Sequence, residues 1–428
     1  MPTNISNALT LPPMFMVRQN FEVPPQLDIE AAVDAEWDRL TAPLGISSAA
    51  RVAVGVGSRG IDNLARVTRK VVEKLRLAGA EPFVIPAMGS HGGASAAGQI
   101  EVLAERGVTE QSVGAPIDAT METVYLGTSE EGIPLFLDRL AHEADGIVLI
   151  NRVKPHTNFI GATESGVMKM LAIGLGNQKG AEHYHRLSLV RSQYEIISTA
   201  ARALLARSKF LFGVALLENQ YHQTCSLKMA DSAHIEQVES AVLEQARILL
   251  PGLPVDQVDL LIVDEMGKDI SGEGIDPNVV GRDCCSYGAR RDTPCVTRIL
   301  VRDLTEATMG SALGIGQADF TLKRLVEKID VEATAINCLT SCCPEAGRVP
   351  LTYDNDHQAL SAALTTIRPS QPDEIGILYI KNTLELSRMM VSQAYTEQLE
   401  SNPDVVVEAV EKRLEFDNEG MLKSPFVS

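Results

Sequence analysis

At 428 residues the chain is longer than a typical single domain of roughly 100 to 200 residues. Its 45% hydrophobic and 22% charged content is enough to build sizeable cores without staples. A net charge of -18, with the acidic residues spread along the chain, repels phosphate backbones and anionic membranes, so neither nucleic acid nor a membrane is an expected partner.

The segment Met1 to Gln19 lacks the basic and then apolar pattern of a secretory signal, and no apolar run approaches the roughly 20 residues that span a bilayer. A cytoplasmic location is therefore expected. From Arg51 the chain alternates short apolar runs with amphipathic stretches, the pattern of a parallel sheet. Arg51 to Gly57, Glu81 to Met88, Gly146 to Val153 and Lys209 to Leu217 read as strands. Asn63 to Ala78, Ala96 to Glu105, a long stretch from His185 to Arg207, and Ile235 to Leu250 read as helices. Pro251-Gly252-Leu253-Pro254 punctuates the chain. Beyond it, Val258 to Val263, Thr297 to Val301, Ala333 to Leu339 and Ile375 to Ile380 read as strands, and Phe320 to Ile329, His357 to Thr366 and Asp404 to Glu415 as helices. The fold expected is two α/β domains with mostly parallel sheets, residues 1–253 and 254–428, and an interdomain cleft for a small molecule.

Seven cysteines are present, and in a reducing compartment they are expected as buried or free thiols. Cys338, Cys342 and Cys343 form C-x3-C-C, which matches neither zinc nor iron–sulfur spacing.

Ligands of open parallel sheets bind outside the carboxyl ends of strands, so the segments after each strand carry the chemistry. They are Gly57-Ser58-Arg59-Gly60, then Met88-Gly89-Ser90-His91, then Lys154-Pro155-His156 running through Ser165-Gly166-Val167-Met168-Lys169 to His183-Tyr184-His185. A lone strand-end histidine is more often structural than catalytic. Two of them beside an arginine on one sheet edge combine proton transfer near neutral pH with a fork for a carboxylate. G-x-x-x-x-G-K-[ST] and H-E-x-x-H are absent.

At these residues, over roughly 45 to 200, the chain resembles the nickel-pincer lactate racemases and their relatives that racemise or epimerise 2-hydroxy acids. The resemblance implies His91 and His156 as the acid–base pair and Arg59 as the substrate arginine. Lys169 would carry a covalently attached nickel-pincer nucleotide, a pyridinium-3,5-bisthiocarboxylic acid mononucleotide. His185, 16 residues beyond Lys169, would ligate nickel, with His183 the runner-up, and Ser58, Ser165 and Gly166 would line the cofactor. The segment Ser271 to Asn278 is loosely similar to a substrate loop of that family, which makes Lys268 or Arg282 a further carboxylate ligand. Departures include Val56 in place of an Asp, Lys169 in a Val-Met-Lys-Met context, and Val280-Gly281 in place of a Tyr-Gln pair.

The implied reaction passes a hydride to the cofactor and back through a 2-keto acid, with the histidines moving the hydroxyl proton. Cofactor-synthesis proteins are implied as partners, and a homo-oligomer is compatible with the sequence. Two rival readings are a metal-dependent hydrolase or lyase using His91, His156 and His185 with Glu164 or Glu182, and an iron–sulfur or binding protein using Cys338, Cys342 and Cys343.

Overall fold

The computed structural model describes residues 9–21, 23–40, 45–286, 288–368 and 371–426, without the side chain of Ala409. The chain divides into two compact units, 23–250 and 1–22 with 251–428. Of the N-terminal segment, residues 1–8 lie outside the described residues, and its end forms β1 (Met14–Gln19).

Unit 23–250 contains β2 (Arg51–Val56), β3 (Glu81–Pro86), β4 (Thr123–Thr128), β5 (Pro134–Asp138), β6 (Gly146–Arg152), β7 (Phe210–Glu218) and β8 (Thr224–Asp231). Its five-stranded sheet runs β3-β2-β6-β7-β8, parallel except for β8, and β4 and β5 form a separate antiparallel pair. Both faces of the sheet are covered, which explains why its strands are near-continuous apolar runs. Val52, Val54 and Val56 of β2 pack with Val67, Val71 and Leu75 of the helix Leu64–Leu77. Ala53 points the other way, into a core shared with Val167, Met168 and Leu171 and with Ile196, Ala200 and Leu204. The long helix expected from His185 is two helices, Asn177–Leu187 and Gln193–Arg207. The Ser188 hydroxyl bonds back to the Tyr184 carbonyl, and the Val190 and Arg191 amides both turn onto Leu187 O, which ends the first helix.

The second unit holds β1 with β9 (Gln257–Met266), β10 (Cys295–Leu304), β11 (Phe320–Leu322), β12 (Leu351–Tyr353), β13 (Ile377–Ile380), β14 (Arg388–Ser392) and β15 (Val405–Lys412). The sheet order is β12-β11-β10-β9-β13-β14-β1-β15, with five parallel strands and an antiparallel end. β1, expected within a domain of residues 1–253, thus belongs to this sheet, antiparallel to both β14 and β15. Met14 and Met16 enter the core on one face and Val17 the core on the other, so both faces of β1 are buried.

Three further elements differ from expectation. Val331–Thr340 is a helix rather than a strand, because Asp330 caps it by accepting from the Ala333 amide. Residues 405–412 form a strand rather than a helix, paired along β1. Phe320 to Ile329 is mostly a three-residue strand and the one-turn helix Lys323–Val326. Cys285 and Cys343, expected as thiols, are disulfide-bonded. No helix among the described residues is long and apolar enough to cross a membrane.

Val17→Asp puts a charge into the core between β14 and β15, which costs several kcal/mol. Proteolysis should then accelerate within 251–428 more than within 23–250. Cleavage confined to 23–250 would contradict the placement of β1.

Candidate active site

The carboxyl ends of β2, β3 and β6 meet one segment, residues 154–176. It opens as a loop pinched by paired backbone bonds between Lys154 and Ser165, 2.9 and 3.2 Å. It continues as the single turn Val167–Lys169, a π-helical turn Met170–Gly174, and the helix Asn177–Leu187. A π-helical turn is rare and is often found at functional sites. This turn docks on the β3 loop, where the Gly89 amide donates to Gly174 O at 3.1 Å. Gly89 has φ +62 and lies against Ile173 O, a backbone conformation that side chains other than glycine's rarely adopt.

The turn bearing Lys169 is anchored from below. Asn151 Nδ2, at the end of β6, donates to Gly166 O at 3.2 Å, and the fully buried Glu239 accepts from the Met168 amide at 3.0 Å. A Cβ at Gly166 would sit 2.4 Å from the Glu239 carboxyl carbon, so only glycine lets the two approach. Gly166, expected to line the cofactor, serves this packing. Ser165 contributes the backbone pinch described above. Burial raises the Glu239 carboxyl to about 7, against the opposing pull of the Met168 and Val167 amides.

Above this anchor Lys169 Nζ lies 2.6 Å from His156 Nε2. His156 is buried and stacks on Phe159 with ring centroids 4.2 Å apart. Its Nδ1 accepts from the Asn158 amide at 3.0 Å. Glu164 fixes the loop by accepting from the His156 amide at 2.5 Å, from the Gly161 amide at 3.1 Å and from Arg247 Nη2 at 2.5 Å.

Burial first, then the charges of Lys169, Lys154, His185 and Arg59, hold His156 well below the usual imidazole range. His185 is lowered to about 4, by burial and then by Lys169. Its Nδ1 is buried with no hydrogen-bond partner, an orphaned donor atom of the kind a metal would satisfy. His183 faces solvent, with its Nδ1 bonded to Lys179 O at 2.8 Å. On the next loop His91 shares a 2.5 Å hydrogen bond with Ser58. Arg59 is exposed, and its charge is felt at His156.

Lys268 and Arg282 lie in the second unit. Lys268 Nζ donates to Asn337 at 2.7 Å. Arg282 is committed to Asp319 and to the Gln317, Val296 and Thr297 carbonyls, so it anchors a loop and is not available to a substrate. Glu164 is consumed by the loop bonds, and Glu182 accepts from Gln178 at 2.9 Å, so neither completes a metal set with the histidines. Among the described residues the trio with donor atoms close enough for a metal is Cys284, Cys285 and Cys343, not Cys338, Cys342 and Cys343. A cavity of about 510 Å³ opens at the amino ends of β2 and β3, beside Arg51, Glu81 and Phe83, away from this chemistry.

Sequence reasoning placed Lys154 at the end of the third strand without giving it a role, and missed Asn151, Glu239 and Arg247. Glu239 did carry a signal, because it falls on the stripe Ile235, Glu239, Val242, Leu243, Ala246 that the helix Ile235–Ile248 buries.

Residues 48–196 match the family described as the lactate racemase N-terminal domain. Within this unit the chain is thus similar to the N-terminal domain of lactate racemases, and that similarity is compatible with a racemase-type isomerase of hydroxy acids. The chain is similar in fold to a structural-genomics protein from Thermotoga maritima, at 15% identity and TM-score 0.53 over 84% of this chain and 96% of that one. The lactate racemase apoprotein of Thermoanaerobacterium thermosaccharolyticum is similar at 13% identity and TM-score 0.45, over 68% of this chain and 74% of that one. No curated protein matches the chain.

Two measurements check the site. A histidine NMR titration should find His156 neutral at pH 6, where an ordinary imidazole is mostly protonated; a normal titration there would remove it from the buried cluster. For Glu239 the folded state keeps a proton that the unfolded chain releases near pH 4.5, so its contribution is intact below that pH and is lost as pH rises through about 7. Glu239→Gln should abolish this fall, worth on the order of 3 kcal/mol, in denaturation midpoints followed from pH 4 to 8.

Proposed function

We propose that the unit 23–250 houses the catalytic centre of a nickel-pincer-dependent racemase or epimerase of 2-hydroxy acids. The observation that carries this reading is the Lys169 amine 2.6 Å from His156 Nε2, with the orphaned Nδ1 of His185 close enough for its ring to feel the same amine. Lys169 would hold the pincer nucleotide covalently, and His185 would give the nickel its protein nitrogen, a donor suited to that ion. When bound, the group supplies a hydride acceptor and donor.

The remaining tasks fall to the chain's own side chains. His156 is neutral at physiological pH because burial and the surrounding cations disfavour its charge, and it would serve as the base for the substrate hydroxyl proton once Lys169 is tied up by the cofactor and releases Nε2. His91, oriented by Ser58, is the second base on the neighbouring loop. Two bases serve a reaction that must work on either enantiomer. Arg59 and Lys154 make the local field positive, which holds the carboxylate of the substrate against the acidic surface of the whole chain. Arg59 offers the bidentate fork. The hydroxyl proton returns from the histidine that took it when the keto acid presents its original face, giving retention, and from the opposite histidine when it has turned its other face, giving inversion.

The metal-hydrolase reading finds less support, since both ring nitrogens of His156 and both oxygens of Glu164 are already engaged.

The test is Lys169→Ala, made alongside wild type in cells that also express cofactor-synthesis proteins. Wild type should show added mass on Lys169 and should erode the optical purity of at least one member of a panel of D- and L-2-hydroxy acids, sugar acids included. The variant should lose both while keeping its thermal midpoint. Full turnover in the variant would exclude covalent attachment at this lysine.

A further inference from the structure

In the second unit, two loops bring cysteine sulfurs together. The Sγ atoms of Cys284, Cys285 and Cys343 all lie within 4.8 Å of one another. Cys343 is fully buried and Cys285 nearly so, packed with Leu313, Ala346 and a fourth cysteine, Cys338. The Cys285–Cys343 bond uses two of these sulfurs and gives no reason for the third. Tetrahedral zinc–thiolate bonds of about 2.3 Å separate sulfurs by roughly 3.8 Å, so Cys284 is already within reach and reduction has only to let Cys285 and Cys343 part by about the width of one ion.

The surroundings also favour a cation. Asp283, Glu273 and Glu345 direct negative charge at Cys284, which a divalent ion would offset. We propose that Cys284, Cys285 and Cys343, once reduced, form a thiolate site for a soft divalent cation of the zinc class. Cys338 or water fills the fourth position.

The chemistry balances. A dithiol reductant passes two electrons and two protons to the Cys285–Cys343 pair and closes as its own disulfide. The ion then displaces one proton from each of the three thiols, so one divalent cation enters and three protons leave. The site joins the segment at 283–286 to the end of the helix Val331–Thr340, whose Asn337 holds the Lys268 amine. Oxidised, the two segments are tied by a covalent bond; reduced, they are tied by the ion.

The full chain is treated with dithiothreitol, exchanged into anaerobic buffer and titrated with Co2+, and then with Zn2+ as competitor. Wild type should take up one equivalent with intense sulfur-to-cobalt charge-transfer absorption, which histidine or carboxylate sites do not give. Cys284→Ser keeps the disulfide pair and the fold, yet should weaken binding at least roughly tenfold, the lower end of what loss of even a supporting group costs a metal site. Cys295→Ser, at an exposed position, should bind as wild type does. Absence of thiolate–cobalt bands in wild type, or a Cys284→Ser titration that overlays wild type, would overturn the proposal in favour of a plain disulfide. These readouts do not depend on racemase activity or on Lys169.

Discussion

The approach of Glu239 to the backbone at Gly166 is the contact on which the candidate site depends. A carboxyl group without solvent is costly unless hydrogen-bonded, and here one oxygen is satisfied by the Met168 amide at the start of the turn that bears Lys169. The absent side chain at residue 166 lets that bond form, and Asn151 holds the Gly166 carbonyl from the neighbouring strand end. The π-helical turn then runs against the β3 loop. Lys169 is therefore placed by buried polar contacts beneath it, and its own flexible side chain has only a short distance left to define.

Charge in this protein is organised on two scales. The chain as a whole is strongly acidic, yet Lys154, Lys169 and Arg59 act together on His156. Inside the cluster their effect adds to that of burial, and both push the imidazoles toward the neutral form that accepts protons. In the proposed reaction the same cations would attract the carboxylate of the substrate. One arrangement thus prepares the base and the binding field together.

The units differ in how legible they are in the sequence. In 23–250 the strands are buried on both faces and the helices are strongly amphipathic, so periodicity and strand-end position located β2, β3, β6 and β7 and the loops holding Ser58, His91 and His156. The tertiary contacts that fix Lys169 were not visible, because Glu239 and Arg247 are far from it in sequence. In the second unit, Ala333 to Leu339 looks like an apolar strand until the cap at Asp330 is weighed. Residues 405–412 have helical charge spacing, but Val405 to Val407 are β-branched and β1 offers an open edge, so pairing outweighs local preference. Cys284 and Cys285 lie more than fifty residues from Cys343, and no local pattern announces that they meet.

The position of β1 between β14 and β15 bears on how the chain is born. Residues 14–18 pair with 388–392, so one sheet is stitched from segments that leave the ribosome far apart in time. Everything from 23 to 250 emerges while β1 still lacks both neighbours, and a strand with two unpaired edges and apolar faces invites wrong partners. The late closure of this loop leaves β1 waiting for its native company through the synthesis of everything in between, and gives a chaperone reason to shield it.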